Sequence, residues 1–156
     1  MLPVVVVHGG AARTGYAILQ KGGSAMDAVV EAVALMENNP RFNAGQGSVL
    51  NVKGEVEMDA MVMDGRNLDS GAVSAVRRIA NPVQLARLVM EKTKHLCLTA
   101  EGASKFARSM GVAEVPEESL ITGLCQDALE EEPAARCQPC GMPNVNFYVM
   151  KSGTKC

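Results

Sequence analysis

The residues best suited to chemistry fall in one stretch, PRFNAGQGSVLNVKGEVEMDAMVMDG, from Pro40 to Gly65. Two amides and a hydroxyl (Asn43, Asn51, Ser48) stand close to three acids (Glu57, Asp59, Asp64). Paired carboxylates can exchange protons or hold a cation. Glu57 and Asp59, however, alternate onto one strand face with no oxygen-rich loop between them, which reads more simply as a solvated face. Ser48 would act as a nucleophile only with a base and an orienting acid beside it. The spacing of the chain's two histidines, His8 and His95, supplies neither. A hairpin with one wet face accounts for the stretch equally well.

Outside that stretch, His8-Gly9-Gly10 follows the apolar run Pro3–Val7. A histidine directly after a strand can face a cleft, although a hydrogen-bonded structural role is the plainer reading. The glycine pair can turn tightly and offer N–H groups to an anion, yet no GxxxxGK[ST] or GxGxxG pattern follows. Cys137 and Cys140 form a CxxC in an irregular tail, without the strand and helix that a redox site needs. Cys125, Cys137, Cys140 and Cys156 could supply a tetrahedral zinc site, but their outer spacings match no finger, and incidental cysteines remain the favoured reading. Five cysteines, an odd number, argue against a disulfide framework.

The elements that must position these residues can be read in order. At 156 residues the chain fits one domain, and 47% apolar content is enough for a packed core. With only 3% aromatics, that core must be built from Ala, Val, Leu and Met. A net charge of −2 without a basic stripe argues against nucleic acid as a partner. No apolar run approaches the roughly 20 residues that span a bilayer. Met1–Val7 lacks the length and basic start of a signal peptide, so a soluble cytoplasmic protein is expected.

Pro3–Val7 reads as a buried strand and Tyr16–Lys21 as a short helix stopped by Gly22-Gly23. Ser24 caps a second helix, with Asp27 completing a capping box. Val29, Ala32, Val33 and Met36 form its apolar stripe, which Val30, Ala34 and Leu35 widen; Asn38-Asn39-Pro40 ends it. Val49–Asn51 is expected to enter a strand, turn at Val52–Gly54 and return as Glu55–Val62. That return strand should bury Val56, Met58, Ala60 and Val62. Gly71–Val76 fits a short strand or a helix start. Asn81-Pro82 opens a helix, His95–Leu98 forms a brief strand, and Thr99 caps a helix stopped by Gly111. In that last helix Ala103, Phe106, Ala107 and Met110 should point inward. Pro116–Leu120 is a linker. From Gly123 the composition turns acidic, Pro- and Cys-containing, with one edge strand at Val145–Met150.

The strings VVVVHGG, GGSAMDAVVEAVALMENNPRFNAGQGSVLN, GEVEMDAMVMDG and ANPVQLARLVMEKT resemble the α-subunit half of plant-type L-asparaginases/isoaspartyl peptidases. The resemblance covers Val4–Ala12 and Gly15 to about Thr122. It implies an α+β fold, a partial αββα sandwich of the N-terminal-nucleophile hydrolase type. Members of that family cut themselves before a threonine, whose hydroxyl attacks and whose amine serves as base. The implied substrates are L-asparagine and β-aspartyl peptides, and no organic cofactor is needed. A structural sodium ion is implied at backbone carbonyls matching Met36, Glu37, Asn39, Phe42, Ala44 and Gln46. The asparagine matching Asn51 lies near the nucleophile and assists processing, and the turn matching His8, Gly9 and Gly10 adjusts during cleavage.

Three departures from the family pattern stand out. Ala11 replaces a third glycine, and a helical segment between Ala12 and Thr14 is missing. No GTVGAVA-type strand bearing the threonine occurs; Gly153-Thr154 echoes the cleavage pair, but Lys155-Cys156 follows. Residues 1–122 therefore read as the α region and 123–156 as a divergent tail. The chain is expected to be inactive alone and to need an asparaginase-type β subunit, or a second copy, to cover its open strand edges. The alternatives are a non-catalytic fragment that pairs with a full-length relative, or an unstable splice-type product.

Overall fold

The computed structural model describes residues 11–51, 53–123, 125–126 and the backbone of 144–147. The expected strand at Pro3–Val7, the His8-Gly9-Gly10 turn, and Cys137, Cys140 and Cys156 lie outside the described residues.

Among the described residues the architecture is α+β: four α-helices and a four-stranded mixed sheet. The helices are α1 (Ala12–Gln20), α2 (Ala25–Glu37), α3 (Pro82–Lys92) and α4 (Ala100–Ser109). The strands are β1 (Met58–Met63), β2 (Ser70–Val76), β3 (Cys97–Thr99) and β4 (Asn144–Phe147), in the order β3-β2-β1-β4. β1 runs antiparallel to β2 and parallel to β4, while β2 runs parallel to β3.

Period-two alternation fixes which face of β1 is covered. Val56, Met58, Ala60 and Val62 are all buried, as their spacing predicted. They meet Val73 and Val76 of β2 and Val83, Leu85, Ala86 and Val89 of α3 in one apolar cluster. Helix α3 lies so close to β2 that a Cβ at Gly71 would collide with the Ala86 carbonyl oxygen and the Met90 backbone nitrogen. Helix α2 then packs on α3, and α1 on α2.

Local signals set the helix ends. The Ser24 hydroxyl accepts from the Asp27 N–H at 3.0 Å, and the Asp27 carboxylate accepts from the Ser24 N–H at 3.0 Å, a complete capping box. Helix α4 stops where Gly111 takes φ 74°; Val112 N–H reaches back to Ala107 O and Gly111 N–H to Arg108 O, a Schellman closure.

Three sequence expectations change. Val49–Asn51 is not a strand; the hairpin partner of β1 is β2, joined through Asp64–Asp69. Helix α1 begins earlier than expected, at Ala12, while Gly71–Val76 takes the strand reading of the two that its composition allowed. Leu35 in α2 and Met110, just past the end of α4, are 44% and 42% exposed rather than buried. The edge strand expected at Val145–Met150 is present as Asn144–Phe147.

Candidate functional site

The stretch after α2 folds as a close-packed loop, because two glycines let it double back on the helix end. Gly45 (φ 55°) sits against Glu37 with no room for a Cβ. At Gly47 (φ 98°) a Cβ would lie 2.6 Å from the Pro40 carbonyl oxygen. Gln46 N–H donates to Glu37 O at 2.7 Å and Gly47 N–H to Leu120 O at 3.0 Å. The Asn43 side-chain oxygen accepts from the Val49 N–H at 2.9 Å.

The carbonyls that the family resemblance singles out divide into two groups. Met36 O accepts from Asn39 N–H, Glu37 O from Gln46 N–H and Asn39 O from Phe42 N–H, at 2.7–3.0 Å. Those of Phe42, Ala44 and Gln46 accept no hydrogen bond among the described residues.

The side chain of Glu37, unlike its carbonyl, is not among the candidates that the sequence offers. That side chain is buried, although it is ionisable. Oε1 accepts from the Val83 N–H at 3.0 Å and Oε2 from Asn81 Nδ2 at 3.2 Å. Pro82 opens α3 without an N–H, so Val83 carries the first N–H of that helix in need of an acceptor. Asn81 does not cap its own helix. Its amide turns instead to Glu37, to Asn38 Oδ1 at 3.1 Å and to Ala34 O at 3.4 Å. Burial pushes the Glu37 carboxyl up to about 8, against the lowering effect of the Val83 and Asn81 hydrogen bonds. The signal in the sequence was an acid at the last position of α2, directly after the apolar run Ala32–Met36.

Asn51 organises the next turn. Its side-chain oxygen accepts from the N–H groups of Lys53 and Glu55 at 2.9 and 3.0 Å, and its Nδ2 donates to Glu55 Oε2 at 3.3 Å. Gly54 takes φ 77° there, as the turn chemistry predicted. The salt bridge of Arg77 to Glu55 and Glu117, at 3.0 and 2.8 Å, fastens this turn to the sheet end. A cavity of about 400 Å³ opens beside it, lined by Arg77, Arg78 and Arg108. Each of these guanidiniums is already paired with a glutamate, so the cavity offers no free cation to an anion.

The remaining candidates separate. Ser48 Oγ is buried without a hydrogen-bond partner among the described residues, and His95 is exposed in the loop before β3. Asp59 accepts from the Ala75 N–H at 2.7 Å, at a break in the β1–β2 register where Ala75 takes φ 50°. No group of three or more His, Cys, Asp or Glu among the described residues is placed to hold a metal ion. Cys125 is buried, with its sulfur 3.0 Å from Thr122 Oγ1. No described helix is long and apolar enough to cross a membrane.

The loop, the capped helix α2 and the β1–β2 hairpin occur in a sequence that matches the asparaginase family over residues 2–149. The chain belongs to the asparaginase family. That match runs past the change of composition at Gly123. Among curated relatives, the isoaspartyl peptidase/L-asparaginase of Danio rerio is 74% identical, over 91% of this chain and 52% of its own length. The Homo sapiens protein of the same description is 54% identical, over 85% of this chain and 49% of its own. The plant-type L-asparaginase of Pyrococcus furiosus is 49% identical, over 70% and 42% respectively. This asparaginase-family chain thus spans about half the length of the curated relatives it matches.

Proposed function

We propose that this chain is the α half of a β-aspartyl amide hydrolase acting on L-asparagine and isoaspartyl peptides, and that hydrolysis requires a second, β half. The observation that carries the reading is the 74% identity to an isoaspartyl peptidase/L-asparaginase over about half of that protein's length. In this reading the β half brings a threonine, whose hydroxyl attacks the side-chain amide carbonyl while its own α-amine takes the proton. An α-amine suits that task because its ordinary pKa lies near 8. The two halves together make the αββα sandwich of N-terminal-nucleophile hydrolases, and the precursor cuts itself before the threonine.

The α half supplies scaffold. Asn51 holds the turn before β1, and the resemblance sets it beside the incoming nucleophile. The resemblance assigns His8, Gly9 and Gly10 to the segment that yields during cleavage. The loop from Met36 to Gln46 is suited to a structural sodium ion: Phe42, Ala44 and Gln46 offer carbonyls without donors, and Met36, Glu37 and Asn39 each keep a second lone pair. Neutral backbone oxygens suit a hard monovalent cation, which would hold the loop's shape. The partner is a β subunit, or a second copy that covers the sheet.

The test is aspartate release from a β-aspartyl dipeptide, by the chain alone and after co-expression with the threonine-bearing half of the Danio rerio relative. Release only in the second case supports the reading. Release by the chain alone, abolished by Thr154→Ala, would place the nucleophile in this chain's own tail.

A further inference from the structure

Glu37 is a buried ionisable side chain to which the proposed reaction assigns no chemical role. It ends α2, and three separate pieces of structure meet at it. Its carboxyl oxygens receive the first N–H of α3, from Val83, and the amide of Asn81. Its backbone carbonyl receives Gln46 N–H, and Gly45 packs against it too closely for any side chain. The Asn81 amide also touches Asn38 and Ala34, so the end of α2 is gripped from the side of α3.

We propose that the Glu37 side chain is a positioning residue: it clamps the end of α2 to the start of α3, and thereby fixes the loop Asn38–Ser48 in its folded shape. Two physical facts drive the clamp. A helix start leaves N–H groups that need acceptors, and here a neighbouring helix supplies one. A buried polar group must keep its partners, so Glu37 can neither rotate out nor let α3 slide. The loop inherits that rigidity through the peptide of Glu37 itself, the acceptor for Gln46. The clamp stands on these contacts alone; its importance for hydrolysis rests on the proposed function.

Hydrogen exchange on the full chain tests the clamp, with the α4 amides of Phe106 and Ala107 as internal reference. Glu37→Leu removes both polar atoms at similar volume. It should speed exchange at Gln46, Gly47 and Ser48 by about tenfold or more, the loss expected for hydrogen bonds to a buried carboxyl, and leave the α4 amides within about twofold. Glu37→Gln keeps an acceptor for Val83 N–H and a group that can pair with the Asn81 amide, so the loop should exchange within about threefold of wild type. Asn81→Ala, a milder change, should open the same three amides less than Glu37→Leu does. The proposal fails if the wild-type loop amides are already unprotected. It also fails if Glu37→Leu leaves them unchanged or speeds them no more than α4, or if Glu37→Gln opens them as far as Glu37→Leu. A second arm uses the enzyme completed by a β half. There Glu37→Leu should lower β-aspartyl hydrolysis about tenfold or more and Glu37→Gln should retain it. An inactive wild-type assembly would count against the proposed function and leave the exchange result to decide the clamp.

Discussion

Raising the pH should loosen this chain through one residue. The Glu37 carboxyl, ordinarily near 4.5, is held up to about 8 by burial. Between those values the folded chain keeps a proton that the unfolded chain has released. The unfolded state therefore binds fewer protons, and stability falls as pH rises through the window. At about 1.4 kcal/mol per pH unit, the full span corresponds to roughly 5 kcal/mol. That is comparable with the whole margin of a small domain, about 5–15 kcal/mol. With a urea m-value of about 1–3 kcal/mol/M, the unfolding midpoint should drop by about 0.5–1.4 M for each unit between pH 5 and 8. Asp27, lowered to about 2 first by its hydrogen bonds with Ser24, acts in the opposite sense, and only below pH 4. Urea titrations at pH 5, 6, 7 and 8 on wild type and Glu37→Gln are the assay, since an amide keeps an acceptor for the Val83 N–H without titrating. A wild-type midpoint that is level or rising over that range, or an equal slope in Glu37→Gln, would mean that the Glu37 carboxyl does not hold its proton in the folded chain.

Other outcomes follow from single contacts. Gly71→Ala should destabilise by about 1–3 kcal/mol, because α3 leaves no space for a methyl group on β2; thermal melting checks it, and an unchanged melting temperature would mean that the helix can move away. Ser24→Ala should cost about 1 kcal/mol through loss of the capping box, seen as a lower urea midpoint with the m-value preserved. Rubidium soaked into crystals should give an anomalous peak within the Met36–Gln46 loop; density only elsewhere would remove the proposed cation.

The sequence showed most where one local rule governed one element. Ser24 with Asp27 and Gly111 after α4 each determine a helix end by hydrogen bonds within a few residues, and Pro82 marks the start of α3 because it lacks an N–H; each lies where the sequence places it. The alternation of Val56, Met58, Ala60 and Val62 revealed the buried face of β1. Its pairing was less legible. Val49–Asn51 looks like a strand by composition, but the Asn51 side chain closes its own turn to Glu55, which leaves β1 to pair across Asp64–Asp69 instead. The exposure of Leu35 and Met110 depends on which flank of a helix meets a neighbour, something periodicity alone does not encode. Glu37 was readable only as a loop carbonyl. Its side-chain role depends on α3, which arrives more than forty residues later in the chain.

A mixing titration decides whether this chain works as the α half of an amide hydrolase. Purified chain is held constant while the threonine-bearing half of the Danio rerio relative is added, and aspartate release from a β-aspartyl dipeptide is followed. Release should stay at background from either half alone, and the rate should climb with added β half and level off at one equivalent. A β half that binds the chain without producing any turnover would contradict that role, as would turnover by the chain unaided.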